Sequence, residues 1–144
     1  MLLAHAKTII EAALAKAREL SLDPLVVAVL DAGGHLVAYQ REDGAGIARY
    51  DIAYAKAWGS LGMGFGSREL TERAAKNAVF ISVIAAATGG RMAPSPGGVL
   101  VADSSGQIIG AVGVSGDTGD NDETCAITGV KAASLHAHAG KVSR

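Results

Sequence analysis

Two pairs of apolar, β-branched segments, each joined by a short glycine-containing turn, place the strongest constraint on the fold. Such pairs are typical of β-hairpins, in which consecutive strands run antiparallel. A parallel sheet would need helical crossovers between its strands instead. The sequence therefore predicts an antiparallel sheet built from two hairpins. The first hairpin is residues 24–31 and 35–43, and the second is residues 99–103 and 107–116.

Segments with helical periodicity flank both hairpins. Residues 3–20 carry apolar side chains on one arc and charged ones on the other, and Asp23-Pro24 ends the pattern. Residues 47–61 repeat large side chains at helical spacing, and residues 121–139 are rich in alanine. Ser67 is placed to cap a short third helix.

The order of these segments predicts an α+β fold in a single compact domain spanning residues 1–144. We expect a roughly five-stranded antiparallel sheet flanked by helices. The apolar region 78–88 is ambiguous between helix and strand, and we expect the fifth strand to come from somewhere in residues 78–92.

Composition excludes several classes of protein. The net charge is −1, with 13 basic and 14 acidic residues, which disfavours a nucleic-acid-binding protein. A single cysteine, Cys125, rules out an internal disulfide and a zinc site made of cysteines. No stretch approaches the roughly 20 apolar residues of a membrane helix, and charged residues interrupt the N-terminal segment. We therefore expect no membrane partner and a cytoplasmic location.

The segment GVSGDTGDNDETCAITG (113–129) places three glycines ahead of a predicted helix, as phosphate-binding loops do. Its acidic residues and its lack of Lys or Arg disfavour phosphate, and their spacing does not match a calcium loop. We interpret it as a turn from strand to helix, with Asp120, Asn121 or Asp122 capping that helix.

Four segments together resemble one known family, the haem-binding GlcG/HbpS-like family, which also forms the C-terminal domain of PduO-type proteins. The resemblance implies a compact antiparallel sheet flanked by helices and homo-oligomers, often tetramers or octamers. It also implies haem binding in some members. The segments that carry it are residues 26–45 (VVAVLDAGGHLVAYQREDGA), 52–58 (IAYAKAW), 96–103 (PGGVLVAD) and 108–129 (IIGAVGVSGDTGDNDETCAITG).

The resemblance selects individual residues. Arg41, Asp43 and Gly44 match the family's R-x-D-G-A run, and Lys56 matches its K-A pair. In haem-binding members a histidine of the N-terminal helix is linked to the iron, and His5 lies on that helix here. Further matches are the paired glycines Gly97 and Gly98, and Ser115, Gly116 and Asp122 of the V-S-G…D run.

Three functions remain open. In the first, the protein binds haem or a related tetrapyrrole, with His5 as ligand to the iron and Arg41 or Lys56 holding the propionates. In the second, it is an enzyme or accessory protein acting on a small carboxylate. Arg41 would then be the clamp, and Asp43 and Lys56 would be the catalytic proton-transfer groups. In the third, it is an assembly module, with Arg41 and Asp43 as a surface ion pair and His5 as a surface histidine.

Overall fold

The computed structural model describes residues 1–142 of the chain, which form five helices and five strands. The helices are α1 (Leu3–Glu19), α2 (Ala48–Met63), α3 (Ser67–Lys76), α4 (Ala78–Ala87) and α5 (Gly119–Ala132). The strands are β1 (Val26–Asp31), β2 (Leu36–Arg41), β3 (Gly98–Ala102), β4 (Ile108–Ser115) and β5 (His136–His138).

The five strands form one sheet in the order β2-β1-β4-β3-β5, and every neighbouring pair is antiparallel. The two predicted hairpins, β1–β2 and β3–β4, lie side by side and join through β1 and β4. The prediction of an α+β fold with a five-stranded antiparallel sheet is therefore confirmed.

The source of the fifth strand was predicted wrongly. Residues 78–87 form α4, and the fifth strand is β5, which pairs with β3 at the edge of the sheet. The last helix accordingly ends at Ala132 rather than continuing to residue 139, and Ser134 takes a positive φ of 59° just after it. The apolar run that forms α4 has no polar–apolar alternation by which a helix could be told from a strand. The alanine-rich segment after α5 contains no residue that marks the end of a helix.

Two predicted helix caps are also wrong. Ser67 is the first residue of α3, and its hydroxyl donates to the Ser95 carbonyl at 2.6 Å while accepting from the Gly98 amide at 2.7 Å. The cap of α5 is Thr118, which accepts from the amide of Asn121 at 3.3 Å. For Ser67, long-range partners decide the role of the side chain, and such partners cannot be read from local sequence.

The sheet separates two layers of helices. Valines such as Val27 and Val29 point to the face covered by α1 and α5. Alternate residues such as Val26 and Leu30 point to the opposite face, which α2 covers. This is the period-two alternation of a strand, but both faces are buried, so the strands read as continuous apolar runs.

A row of small residues lets α2 lie unusually close to the sheet. Ala28, Gly113 and Gly98 are cross-strand neighbours on β1, β4 and β3. A Cβ atom added at Gly113 would collide with the carbonyl of Ala53, and one added at Gly98 with the carbonyl of Lys56. Backbone of α2 therefore packs directly on backbone of the sheet, which is how a chain with few aromatic residues fills this layer.

Helix α4 is poorly covered. It contains no charged residue, yet only Ile81 of its ten residues is buried. Val79, Phe80 and Val83 are 77%, 55% and 58% exposed. Within residues 1–142, no helix combines the length and apolarity that crossing a bilayer requires.

The Gly113→Ala variant should be destabilised by about 1–3 kcal/mol or more, because its methyl group must displace helix backbone rather than a flexible side chain. The measurement is the free energy of unfolding from urea denaturation. Gly46→Ala is the matched control, since its Cβ would meet only an arginine methylene at 3.9 Å. Equal stability of the two variants would contradict this account of the close contact.

Candidate functional site

A buried polar cluster forms around Lys56 on α2. The side chain is almost fully enclosed, with the residue 2% exposed, and its ammonium donates to the Val114 carbonyl at 2.8 Å. It also donates to Oδ2 of Asp122 on α5 at 2.9 Å, and Asp122 is 1% exposed. Because α2 and α5 cover opposite faces of the sheet, this ion pair joins the two layers.

Gly97 makes room for that ion pair where β3 begins. Its φ is +122°, a conformation that favours glycine, and an added Cβ would lie 3.0 Å from both the Lys56 ammonium and the Asp122 Cβ. Gly98 next to it is the glycine that presses on α2 backbone. The two glycines are thus needed for different steric reasons. Gly97 leaves space for the ion pair, and Gly98 leaves space for the backbone of α2.

Burial and ion pairing shift the pKa of each of the two charged groups in opposite directions. Burial lowers the pKa of Lys56 and raises the pKa of Asp122, and in each case the partner's charge opposes the shift. Oδ1 of Asp122 also accepts from the backbone amide of Asp117 at 3.0 Å. With both groups enclosed, this pair has the environment of a structural link rather than of an acid–base couple open to a substrate.

Arg41 and Asp43 lie elsewhere. Arg41 is the last residue of β2 and Asp43 follows the strand, and both are exposed. Within residues 1–142, neither shares a hydrogen bond or ion pair with Lys56. Between them, Glu42 binds Arg18 at 3.1 Å and accepts from the Leu25 amide at 2.8 Å. The structure therefore does not bring the three candidate residues together in one charged pocket.

His5 occupies the first turns of α1 and is half-buried. Its Nδ1 is enclosed and has no hydrogen-bond partner among residues 1–142. Leu2 and Leu3, in the same turn of chain, are 64% and 59% exposed. This end of α1 therefore combines an unsatisfied imidazole with uncovered apolar surface.

His5 and Arg41 lie far apart. Arg18, which contacts Glu42 beside Arg41, is thirteen residues further along α1, or about 20 Å at 1.5 Å per residue. Arg41 pairs with Val26 on the α2 side of the sheet, and at the strand end it also borders a groove with Leu14 and Arg18 of α1. This separation argues against a single porphyrin that contacts both residues within one chain.

Other candidate side chains have structural surroundings. His35 lies in the first hairpin turn beside Asp31, and His136 and His138 belong to β5. Burial raises the pKa of the Cys125 thiol to about 11, which makes it a poor nucleophile. Within the described part of the chain, no group of three or more His, Cys, Asp or Glu side chains could hold a metal ion.

No feature of the sequence indicates that Asp122 is the partner of Lys56. The two are 66 residues apart and no local spacing connects them. The sequence does place Tyr39 near Arg41, because side chains two residues apart on β2 lie on the same face of the strand. That tyrosine packs on Tyr50, with ring centroids 4.8 Å apart.

Asp122→Asn should destabilise the fold by about 3–5 kcal/mol, because it leaves the Lys56 ammonium buried without its counter-charge. Replacing both residues together (Lys56→Met with Asp122→Leu) should restore much of the loss. Urea denaturation measures both effects. Asp120→Asn is the control on the same helix, since its pair with Arg68 is exposed and worth little. A single variant as stable as the control would contradict the role of the pair.

Comparisons with known proteins identify chains with a similar sequence or a similar fold. The sequence is 35% identical over 126 residues to an uncharacterised 15.0 kDa protein from the dhaT-dhaS intergenic region of Citrobacter freundii, covering 88% of this chain and 87% of that protein. The crystal structure of PduOC in complex with haem has a TM-score of 0.85 at 25% identity, covering 96% of this chain and 98% of the other. A double mutant of HbpS from Streptomyces reticuli has a TM-score of 0.77 at 28% identity, covering 91% and 85%.

The family described as "Haem degrading protein HbpS-like" matches residues 1–131. The resemblance found in the sequence is therefore confirmed, and the chain belongs to the HbpS-like haem-degrading protein family.

Proposed function

We propose that this protein binds haem and that His5 is the ligand to the iron. The observation that carries the proposal is the enclosed Nδ1 of His5, which lacks a hydrogen-bond partner among the described residues. An unsatisfied buried polar atom costs about 1–3 kcal/mol, so holding the ring in this position lowers the stability of the fold. Neutral imidazole binds iron through one ring nitrogen, and because Nδ1 is enclosed we assign that role to Nε2.

The surroundings of His5 fit a porphyrin. A porphyrin is a broad apolar disc, and exposed Leu2 and Leu3 supply apolar surface at the same end of α1. Bound haem would supply an iron centre for oxygen or electron chemistry. The propionates of a haem on His5 would take cations other than Arg41, including those of a second copy of the chain.

The known relatives support this proposal. One solved structure of the same fold is a complex with haem, and the family carries a haem-degrading description. A role in haem sensing, turnover or redox stress rests on that family alone, and the present site supports binding as its first step.

His5→Ala should abolish the shifted Soret band that haemin produces on titration into the protein, since the variant removes the nitrogen proposed to bind iron. The measurement is the absorbance at the Soret maximum against haemin concentration in the low-micromolar range. His35→Ala is the matched control, because that imidazole is 81% exposed and lies in the β1–β2 turn. It should titrate as the unmodified protein does.

Two results would count against this assignment. A Soret shift that survives His5→Ala would keep haem but remove His5 as its ligand. The absence of a saturable shift in the unmodified protein would remove haem binding itself.

We further propose that the protein is a homo-oligomer whose subunits meet through α4. The exposed side chains Val79 and Val83, one turn apart, form an apolar stripe on a helix that contacts the rest of the chain only through its opposite side. Such an uncovered apolar stripe is typical of an interface rather than of a free surface.

The charges at the ends of α4 favour a second copy as the partner. The helix has no acidic residue in its first turn and no basic residue in its last, so no charged side chain of α4 itself opposes its dipole. Lys76 lies just before its N-terminus. In an antiparallel α4 pair, each Lys76 would approach the C-terminal carbonyls of the partner helix, and the two dipoles would compensate each other.

Val83→Glu should lower the oligomer mass, because it places a charge in the middle of the apolar stripe. Size-exclusion chromatography with light scattering measures the mass directly. Ala15→Glu, on the exposed side of α1, introduces the same charge on a different helix and should leave the mass unchanged. An oligomer that keeps its mass in Val83→Glu would exclude α4 as the interface.

A further inference from the structure

We propose that a groove between β2 and the start of α2 binds a planar aromatic carboxylate. This site is separate from the proposed haem ligand and does not depend on it. The groove has a volume of about 640 Å³ and is lined by Tyr39, Gln40, Arg41, Ile47 and Tyr50. That volume lies within the range of small-molecule sites.

The register of the sheet directs two of these side chains into the groove. Tyr39 pairs with Ala28 and Arg41 pairs with Val26 on β1, and both β1 residues pack in the cluster under α2. Tyr39 and Arg41 therefore project on the α2 side of the edge strand, next to each other at a spacing of two residues. An aromatic ring and a guanidinium thus lie side by side on a rigid strand.

The aromatic wall of the groove is exposed. The rings of Tyr39 and Tyr50 lie 4.8 Å apart with an interplanar angle of 48°, and Tyr39 remains 51% exposed. Ile47, at the start of α2, is 87% exposed. Exposed aromatic and aliphatic surface of this kind favours a flat apolar ligand, since aromatic rings associate through offset or tilted stacking.

The positive charge in the groove is the guanidinium of Arg41. Within residues 1–142, Arg41 forms no ion pair, because the neighbouring carboxylate of Glu42 is held by Arg18 and the Leu25 amide. Arg49 adds a second positive charge near this end of the sheet, where it donates to the Ser115 hydroxyl at 3.4 Å. A free guanidinium binds a carboxylate through two parallel hydrogen bonds.

Two further groups bear on the charge balance. Asp51, in the first turn of α2, is the acid on that element, and it is exposed. Burial raises the pKa of Tyr50, and the neighbouring Tyr54, Tyr39 and Asp51 reinforce the shift. The Tyr50 phenol, protonated at neutral pH as any ordinary tyrosine is, can act as a hydrogen-bond donor to an anion. The groove thus offers the Arg41 guanidinium and a hydroxyl donor, with Arg49 nearby, and the exposed carboxylates in its vicinity are those of Asp43 and Asp51.

The test compares β-naphthoate with its uncharged analogue β-naphthamide by isothermal titration calorimetry on the full-length protein. We expect saturable binding of one naphthoate per chain and at least tenfold weaker binding of the amide. Arg41→Gln should weaken naphthoate binding at least tenfold while leaving amide binding unchanged, because it removes the charge-assisted pair. Tyr39→Ser should weaken both probes.

Lys131→Gln is the control, since it removes an exposed cation from α5 on the other side of the sheet. It should bind both probes as the unmodified protein does. The proposal is overturned if the unmodified protein shows no saturable heat with naphthoate, or if Arg41→Gln binds naphthoate as tightly as Lys131→Gln. A haemin titration of Arg41→Gln that matches the unmodified protein would establish that the two sites are independent.

Discussion

The close contact between α2 and the sheet is the constraint on which the rest of the structure depends. Gly113 and Gly98 are cross-strand partners, and side chains at either position would collide with α2 carbonyls. With the helix held this near, Lys56 has no route to solvent and must find its partners inside. It takes the Val114 carbonyl and Asp122, and in doing so it ties α2 to α5 at the point where β3 begins.

In this arrangement, the residues that stabilise the fold are separate from those that are available to bind a ligand. The buried ion pair and its glycines occupy the centre, where exposure is too low for a ligand to enter. The chemistry available to ligands lies at two opposite ends of the molecule instead. His5 and exposed leucines lie at the start of α1, and Arg41 and a tyrosine pair lie at the edge of β2. The residues that match the family most clearly in sequence thus divide between a structural centre and a peripheral groove.

Much of the fold could be predicted because its signals are local. Hairpins follow from apolar runs of strand length around a glycine turn, and α1 follows from its periodicity. The wrong predictions concern segments whose local sequence pattern is absent or fits more than one structure. The apolar run of α4 contains no alternation, and β5 is three residues long and exists only because β3 offers it an edge. Ser67 and Asp122 look like helix caps in sequence, but distant groups hold their side chains.

The sequence by itself determined the antiparallel sheet, the family and the list of polar residues with chemical potential, since those depend on residue type and on spacing along the chain. Only the tertiary structure decided which of those residues meet. It paired Lys56 with a residue 66 positions away and enclosed both. It placed Arg41 beside Tyr39 and Tyr50, near the end of α1 that lies about 20 Å from His5. Contacts between distant segments are set by how helices and strands pack, and a single sequence does not record that geometry.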